Sequence, residues 1–286
     1  MLTFLAIILL AILIWLVPIY YQRLRRRYLR SRPLTATQQR ILTEALPLYR
    51  HLTPSMQREL QGNISLFLRS KEFVGCEDLA VTEQMRVAVA AHACLLLLGR
   101  ENSCYPDLYT VLLYPDTYVA RETRVENYVE STAHSAREGE AHYRGPVVLS
   151  WGDLAEDLRF PQRGRNVALH EFAHKLDEED GYYDGRPLFE NGSSGKSWAP
   201  VLGREFKRLR QRRDHPHSAA HHHEVLDFYG AESPAEFFAV ATEAFFVSPM
   251  AMRAEHPQLY EELRKLYRLD PHALLHENPP AGQYPE

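Results

Sequence analysis

Taken alone, the sequence predicts an α+β fold in which helices surround a small sheet, preceded by one N-terminal transmembrane helix. Three observations point there. Residues 1–21, MLTFLAIILLAILIWLVPIYY, carry no charge. Two β-branched and aromatic runs, LYTVLLY from Leu108 and GPVVLSW from Gly145, interrupt a chain otherwise patterned at helical spacing. Strand and helix do not alternate over the length that a doubly wound sheet would need. With 286 residues, 45% of them apolar, the chain has enough material for one large domain.

At about 1.5 Å per residue, the opening run is long enough to cross a bilayer, and Trp15, Tyr20 and Tyr21 suit one interface. Arg23, Arg25, Arg26, Arg27, Arg30 and Arg32 follow with no acid among them. By the positive-inside rule that flank stays in the cytoplasm, so the expectation is a single-pass anchor in the inner membrane with the body facing the cytoplasm. A cleaved secretory signal would carry its charge before the apolar run and end in small residues. Here the charge follows and the end is bulky. Residues 22–37 read as a basic juxtamembrane linker that can touch anionic lipid headgroups. Removing residues 1–32 takes away six arginines and no acid, which moves the formal charge from −4 to −10. An acidic body of that kind argues against nucleic acid as a partner. Cys76, Cys94 and Cys104 contain no C-x-x-C pair, so neither a disulfide framework nor a thiolate zinc site is expected, and a reducing compartment fits best.

After Pro33, TATQQRILTEALPLYRHL and SMQRELQGNISLFLRSKEF both place apolar residues at helical spacing, with Thr53 and Pro54 as the start signal of the second. TEQMRVAVAAHACLLLLGR reads as a third helix ending at Gly99, and Arg86 and His92 keep it from reading as a second span. Beyond the two strands lie helices in RNVALHEFAHKLDEE, SWAPVLGREFKRLRQRRD and SPAEFFAVATEAFFVSP, and one near HPQLYEELRKLYRL. Residues 38–269 form the main domain, and 270–286 read as a disordered tail.

The chemistry centres on VALHEFAHKLDEEDG, where His170 and His174 sit four apart with Glu171 directly after the first. On a helix, positions i and i+4 lie one turn apart on one face, so both imidazoles can reach one ion. Leu169, Phe172, Ala173 and Leu176 form a separate apolar stripe, the mark of a helix buried on one side. Two imidazoles do not complete a catalytic zinc site, which usually has three protein ligands and a water. A metzincin extension would need glycine and histidine where this chain has Asp177 and Asp180. Asp177 shares the histidine stripe, but a carboxylate so near in sequence more often accepts a hydrogen bond beside the site. His215, His217, His221, His222 and His223 fall in a polar, Pro216-containing stretch that reads as an exposed loop. Glu236 and Glu243 lie on an aromatic-rich helix where a buried carboxylate needs a partner. Glu236 also completes an S-x-x-E capping box with Ser233, with Pro234 at the first helical position. Spacing alone leaves capping and metal binding tied.

Together, GPVVLSW, HEFAHKLD and DFYGAESPAEFFAVATEAFF resemble the Mlc titration factor A family of zinc-dependent peptidases, over roughly Gln38 to Leu269. That resemblance implies a zincin-like metallopeptidase domain, zinc held by His170, His174 and Glu236, Glu171 as the catalytic acid and base, and Tyr229 at the site. It implies a peptide or protein substrate, and a regulator such as a transcriptional repressor as a binding partner. Members of the family are often soluble, so the anchor is an addition here. Two readings stand: a membrane-anchored zinc peptidase, with aminopeptidase activity as one form, and a membrane-tethered zinc protein that acts mainly by binding a regulator. Glutamate at the second motif position favours the enzyme, because a purely structural site would not need it.

Overall fold

The computed structural model describes residues 2–100, 104–116, 145–189, 195–215 and 224–277, with side chains described continuously within these spans from Ile14 onward. Helix α1 (Leu2–Arg30) runs unbroken through Pro18 and through the arginine flank. The expected span therefore continues as helix into the segment read as a linker. The last turn of α1 docks on α3 (Pro54–Ser70), where the Ser65 hydroxyl donates to the Leu29 carbonyl at 2.9 Å. Most of the apolar run itself falls on positions whose side chains lie outside the described set. Among the described residues no single helix is long and apolar enough to cross a membrane.

Between them, α2 (Ala36–Ala45) starts at a capping box: Thr35 accepts from the Gln38 amide, and the Gln38 side chain accepts from the Thr35 amide. Thr53 caps α3 with Pro54 just inside it, as its sequence signal predicts. The helical pattern that the sequence carries on through SKEF stops at Ser70, and Glu72–Gly75 is instead strand β1. Phe73 had continued the apolar period. Helix α4 (Glu83–Leu95) is capped by Thr82 and buried along most of its length.

Strands β1, β2 (Thr110–Tyr114) and β3 (Val147–Ser150) form a parallel sheet in that order, with Phe73 opposite Val111 and Val111 opposite Val147. The GPVVLSW strand is thus at the sheet edge among the described residues, with Val147 and Leu149 buried in the core. Parallel pairing requires crossovers, and α4 supplies the one between β1 and β2.

Ser150 ends β3 and caps α5 (Trp151–Arg159), a helix that the sequence reading did not resolve. The motif helix α6 (Val167–Asp177) follows, then α7 (Trp198–Asp214), α8 (Pro234–Val247), α9 (Pro249–Glu255), α10 (Pro257–Tyr267) and α11 (Pro271–Glu277). Phe172 of α6 packs edge-on against Phe67 at 5.7 Å, which fixes the motif helix to α3. Phe237, Phe238 and Phe245 bury α8 in the same core. Helices α8 and α9 together have the length and composition of a bent membrane segment, but their 119° bend and the burial of α8 inside the protein mark them as core.

The expectation of a disordered tail from residue 270 is corrected over its first turn and more. Pro271 opens a helix rather than ending one, with Asp270 accepting from the Ala273 amide and from the Tyr260 hydroxyl at 2.6 Å. Leu274 packs into the core behind it. Residues 278–286 lie outside the described residues.

Candidate metal centre

Asn166 starts the motif helix by accepting from the Leu169 amide at 3.0 Å, and the Val167 amide is taken by Asp157 at 2.9 Å. With its first turn held this way, α6 presents His170 and His174 one turn apart toward α8. Two turns of α8 answer them with Glu236 and Glu243.

The Nε2 atoms of His170 and His174 are 3.1 Å apart, and Glu236 Oε2 lies 3.0 Å from the first and 3.4 Å from the second. One ligand atom from each of these three residues falls within 4.8 Å of the others. Two imidazole nitrogens and a carboxylate oxygen facing one another is a donor set that fits a divalent metal. Without one, lone pairs would oppose each other unless protons intervened.

Glu236 is therefore not tied up as a cap. Ser233 Oγ does accept from the Glu236 amide at 3.1 Å, which is half of the capping box. The carboxylate that would complete the box is turned instead to the histidines, and the Tyr183 hydroxyl donates to its other oxygen at 3.4 Å. Glu243 stands one step further back. It accepts from His170 Nδ1 at 2.8 Å and from the Asn166 amide at 2.7 Å, so with a metal in place His170 would keep its proton on Nδ1 and turn an Nε2 lone pair to the ion.

Asp177, though on the histidine stripe, accepts from the Gly185 amide at 2.8 Å and makes no hydrogen bond to His174. Gly185 has a φ of +75°, and a Cβ there would come within 2.4 Å of the Pro234 carbonyl. The loop that carries Tyr183 is thus pinned between the end of the motif helix and the start of α8. Trp198 seals it by donating to the Gly185 carbonyl at 2.8 Å. The histidines at 217 and 221–223 lie outside the described residues, and His215 is exposed at the end of α7.

Burial works against charge on His170, but the carboxylates of Glu236 and Glu243 outweigh it and lift its pKa to about 10. For Glu236, burial pushes upward while His170 and His174 pull harder, to about 2. The carboxylate is thus ionised across the whole useful pH range. Glu171 is shifted the other way: burial raises its pKa, with His170 and His174 opposing. Burial, reinforced by Glu236, pushes Tyr229 up to about 12 and Tyr183 well above the ordinary phenol range. Both remain hydrogen-bond donors.

A cleft of about 600 Å³ opens on one side of the histidines, lined in part by His170, Glu171, Tyr229, Arg163, Arg165 and Asp227. Asp227 accepts from the Tyr229 amide at 2.9 Å, which sets that ring beside His170 at 5.8 Å between centroids. Tyr183 flanks the other imidazole, 5.0 Å from His174. The arrangement has the parts that a hydrolytic metal site needs: three candidate ligands, a carboxylic acid of raised pKa, phenols to donate, and an open approach.

The profile of the family described as glucose-regulated metallo-peptidase M90 matches residues 20–268. The chain belongs to this family. A protein of Synechocystis that is itself uncharacterised is 39% identical over 249 residues, covering 86% of this chain and 89% of its own. Mlc titration factor A of Klebsiella pneumoniae strain 342 is 30% identical, covering 82% of this chain and 87% of its own, and that of Edwardsiella ictaluri is 28% identical with 82% and 88% covered. The resemblance seen in the motifs is thus shared by most of the chain, and this M90 member is similar to the Mlc titration factors along nearly their full length.

All five residues singled out from the sequence, His170, His174, Glu236, Glu171 and Tyr229, come together in the M90 chain. Two were missed in their present roles. By its position in the sequence Glu243 reads only as a rival ligand, and in the structure it is the partner of His170. Tyr183, in the loop after Gly181, had no periodic signal. The tandem tyrosines directly after the motif helix were the available hint.

Proposed function

We propose that this chain is a zinc-dependent peptidase anchored in the inner membrane by residues 1–21, with its site facing the cytoplasm. The observation that carries the reading is the convergence of His170, His174 and Glu236 beside Glu171, on an open cleft of about 600 Å³. Zinc held there would act as a Lewis acid on the scissile carbonyl and would acidify water at the site. Glu171, which makes no hydrogen bond or salt bridge among the described residues and feels His170 and His174 only through their charge, takes the proton from the attacking water and hands it to the leaving nitrogen. Its raised pKa suits both halves of that transfer. Tyr229 lines the cleft and Tyr183 does not, so Tyr229 is the donor to the developing oxyanion. Glu243 holds the His170 ring in place. β3 ends the sheet among the described residues, and its outer edge is the strand that a substrate backbone would pair with.

The uncharged run followed by six arginines supports the anchor and its orientation. The test is the full chain purified in detergent, assayed for zinc content and against a peptide panel in free and N-acetylated forms. One zinc per chain and cleavage abolished by chelation are expected. Loss of cleavage on acetylation would narrow the activity to an aminopeptidase. Full activity in metal-free protein would refute the proposal.

The printed name of the Mlc titration factors favours a second reading, in which this chain also binds a repressor-type regulator at the membrane. A Glu171→Gln chain separates the two, because partner capture would survive in it while hydrolysis would not.

A further inference from the structure

The arginines that set the topology also build a cleft. Arg23, Arg27 and Arg30 follow at i, i+4 and i+7, so they share one stripe of α1. That stripe faces Arg58 of α3 and Arg100, which follows the turn at Gly99, around a cleft of about 650 Å³. The helices approach closely because position 62 is glycine: a Cβ there would lie 3.1 Å from the Arg30 carbonyl. Five arginines from three segments therefore line one cleft. The acid lining the cleft among the described residues is Glu59, and it already accepts from the Gly99 amide at 3.0 Å. Arg23, Arg27 and Arg58 form no ion pair among the described residues.

We propose that this cleft binds a phosphate-bearing anion, and that its source is the headgroup of an anionic phospholipid. Arginine is the residue suited to the task, since its planar fork gives two parallel donors to phosphate oxygens. The lipid source rests on the anchor reading: Arg23 lies two residues beyond the uncharged run, at the depth where lipid phosphates sit. Arg25 and Arg32, on the same chain segment but outside the cleft, supply general attraction without a built site. Arg100 extends the connection inward, donating to Glu179 at 3.4 Å and to the Leu188 carbonyl at 3.2 Å. Glu179 lies in the turn that ends the motif helix, so a headgroup in the cleft would orient the peptidase site relative to the membrane.

The experiment uses the full chain in dodecyl maltoside, with retained lipid counted by native mass spectrometry after addition of dioleoylphosphatidylglycerol or dioleoylphosphatidylcholine. Preferential retention of phosphatidylglycerol is expected. It should fall at least tenfold in Arg58→Gln/Arg100→Gln and stay within twofold in Arg25→Gln/Arg32→Gln. The single Arg58→Gln, at an exposed position that leaves the Arg100 contacts intact, should show a smaller fall in the same direction. An equal fall in both double variants, or none in the first, overturns the proposal. Inorganic phosphate and glycerol 3-phosphate are added as competitors. Cleft-dependent binding of these without preference between the lipids would overturn the lipid source while sustaining a phosphate site. Flotation with phosphatidylcholine vesicles tests the anchor separately, because insertion of an apolar helix does not require an anionic headgroup.

Discussion

Replacing Glu243 by glutamine should weaken zinc binding without removing a ligand. In the native protein its two oxygens accept one proton each, from His170 Nδ1 at 2.8 Å and from the Asn166 amide at 2.7 Å. A glutamine has one acceptor oxygen, and its amide nitrogen must then face the other donor. Either His170 loses the partner that fixes its tautomer, or the buried Asn166 amide is left unpaired. An orphaned buried donor costs about 1–3 kcal/mol. Loss of a hydrogen-bond partner behind a metal-bound histidine typically costs ~10–100-fold in affinity, which is about 1.4–2.7 kcal/mol. The two figures describe one event and should not be added. Zinc affinity is measured by competition with a chromophoric chelator, and thermal unfolding of the metal-free chain reports the backbone part. Glu236→Gln is the comparison: it keeps the Ser233-to-Glu236 amide cap but replaces the anionic ligand, so its affinity loss should be the larger. If Glu243→Gln leaves zinc affinity within twofold, the role assigned to it fails. If it removes binding altogether while Glu236→Gln does not, the third ligand has been placed two helical turns from its true position.

Glu171→Gln should retain zinc and lower peptide turnover by at least ~10²; unchanged turnover at full zinc occupancy would assign the base elsewhere. Tyr229→Phe should reduce kcat ~10²–10³-fold with KM little changed, whereas Tyr183→Phe should act mainly through zinc affinity; the reverse ranking would exchange their roles. Buried His92, held neutral by burial with a pKa of about 4, should make the fold acid-sensitive. The unfolded chain takes up that proton near the ordinary histidine pKa of about 6.5 and the folded chain only near 4, so stability is complete above 6.5 and falls with pH toward 4, by up to about 3 kcal/mol. A His92→Gln chain should show a flatter dependence of Tm on pH across that window, and an identical slope would dismiss the effect. A reporter fused after Glu286 should be active in the cytosolic form only, and its export would reverse the topology.

The motif helix was readable because its signal is local: four-residue spacing placed His170 and His174 together, and a separate apolar stripe showed which side is buried. The place of Glu236 beside the two histidines is not readable in this way. Ser233, Pro234 and Glu236 satisfy the capping signature whether or not the carboxylate turns back to it, and in the structure the backbone amide takes the cap while the side chain leaves. The bridge from Glu243 to His170 spans 73 residues of sequence, and nothing in the pattern of α8 distinguishes a carboxylate facing metal from one facing a histidine's far nitrogen. Short elements were lost for a similar reason. Phe73 prolonged a helical period across β1, and Pro271 looked like the start of a tail because the Asp270 cap only has meaning once Tyr260 is beside it.

The hydrogen bond from the Gly185 amide to the Asp177 carboxylate, and the fit of Gly185 against Pro234, join the end of the helix that carries the two histidines to the start of the helix that carries Glu236 through protein contacts alone. The cradle is thus assembled by the fold and does not wait for its ion. In proteins where metal uptake and folding are one event, stripping the metal unfolds the chain; here the stripped chain should keep its helices and its melting transition. A metal held by His170, His174 and Glu236 would then exchange at the pace set by passage past Tyr183 and Tyr229, and occupancy would follow metal supply with the fold unchanged.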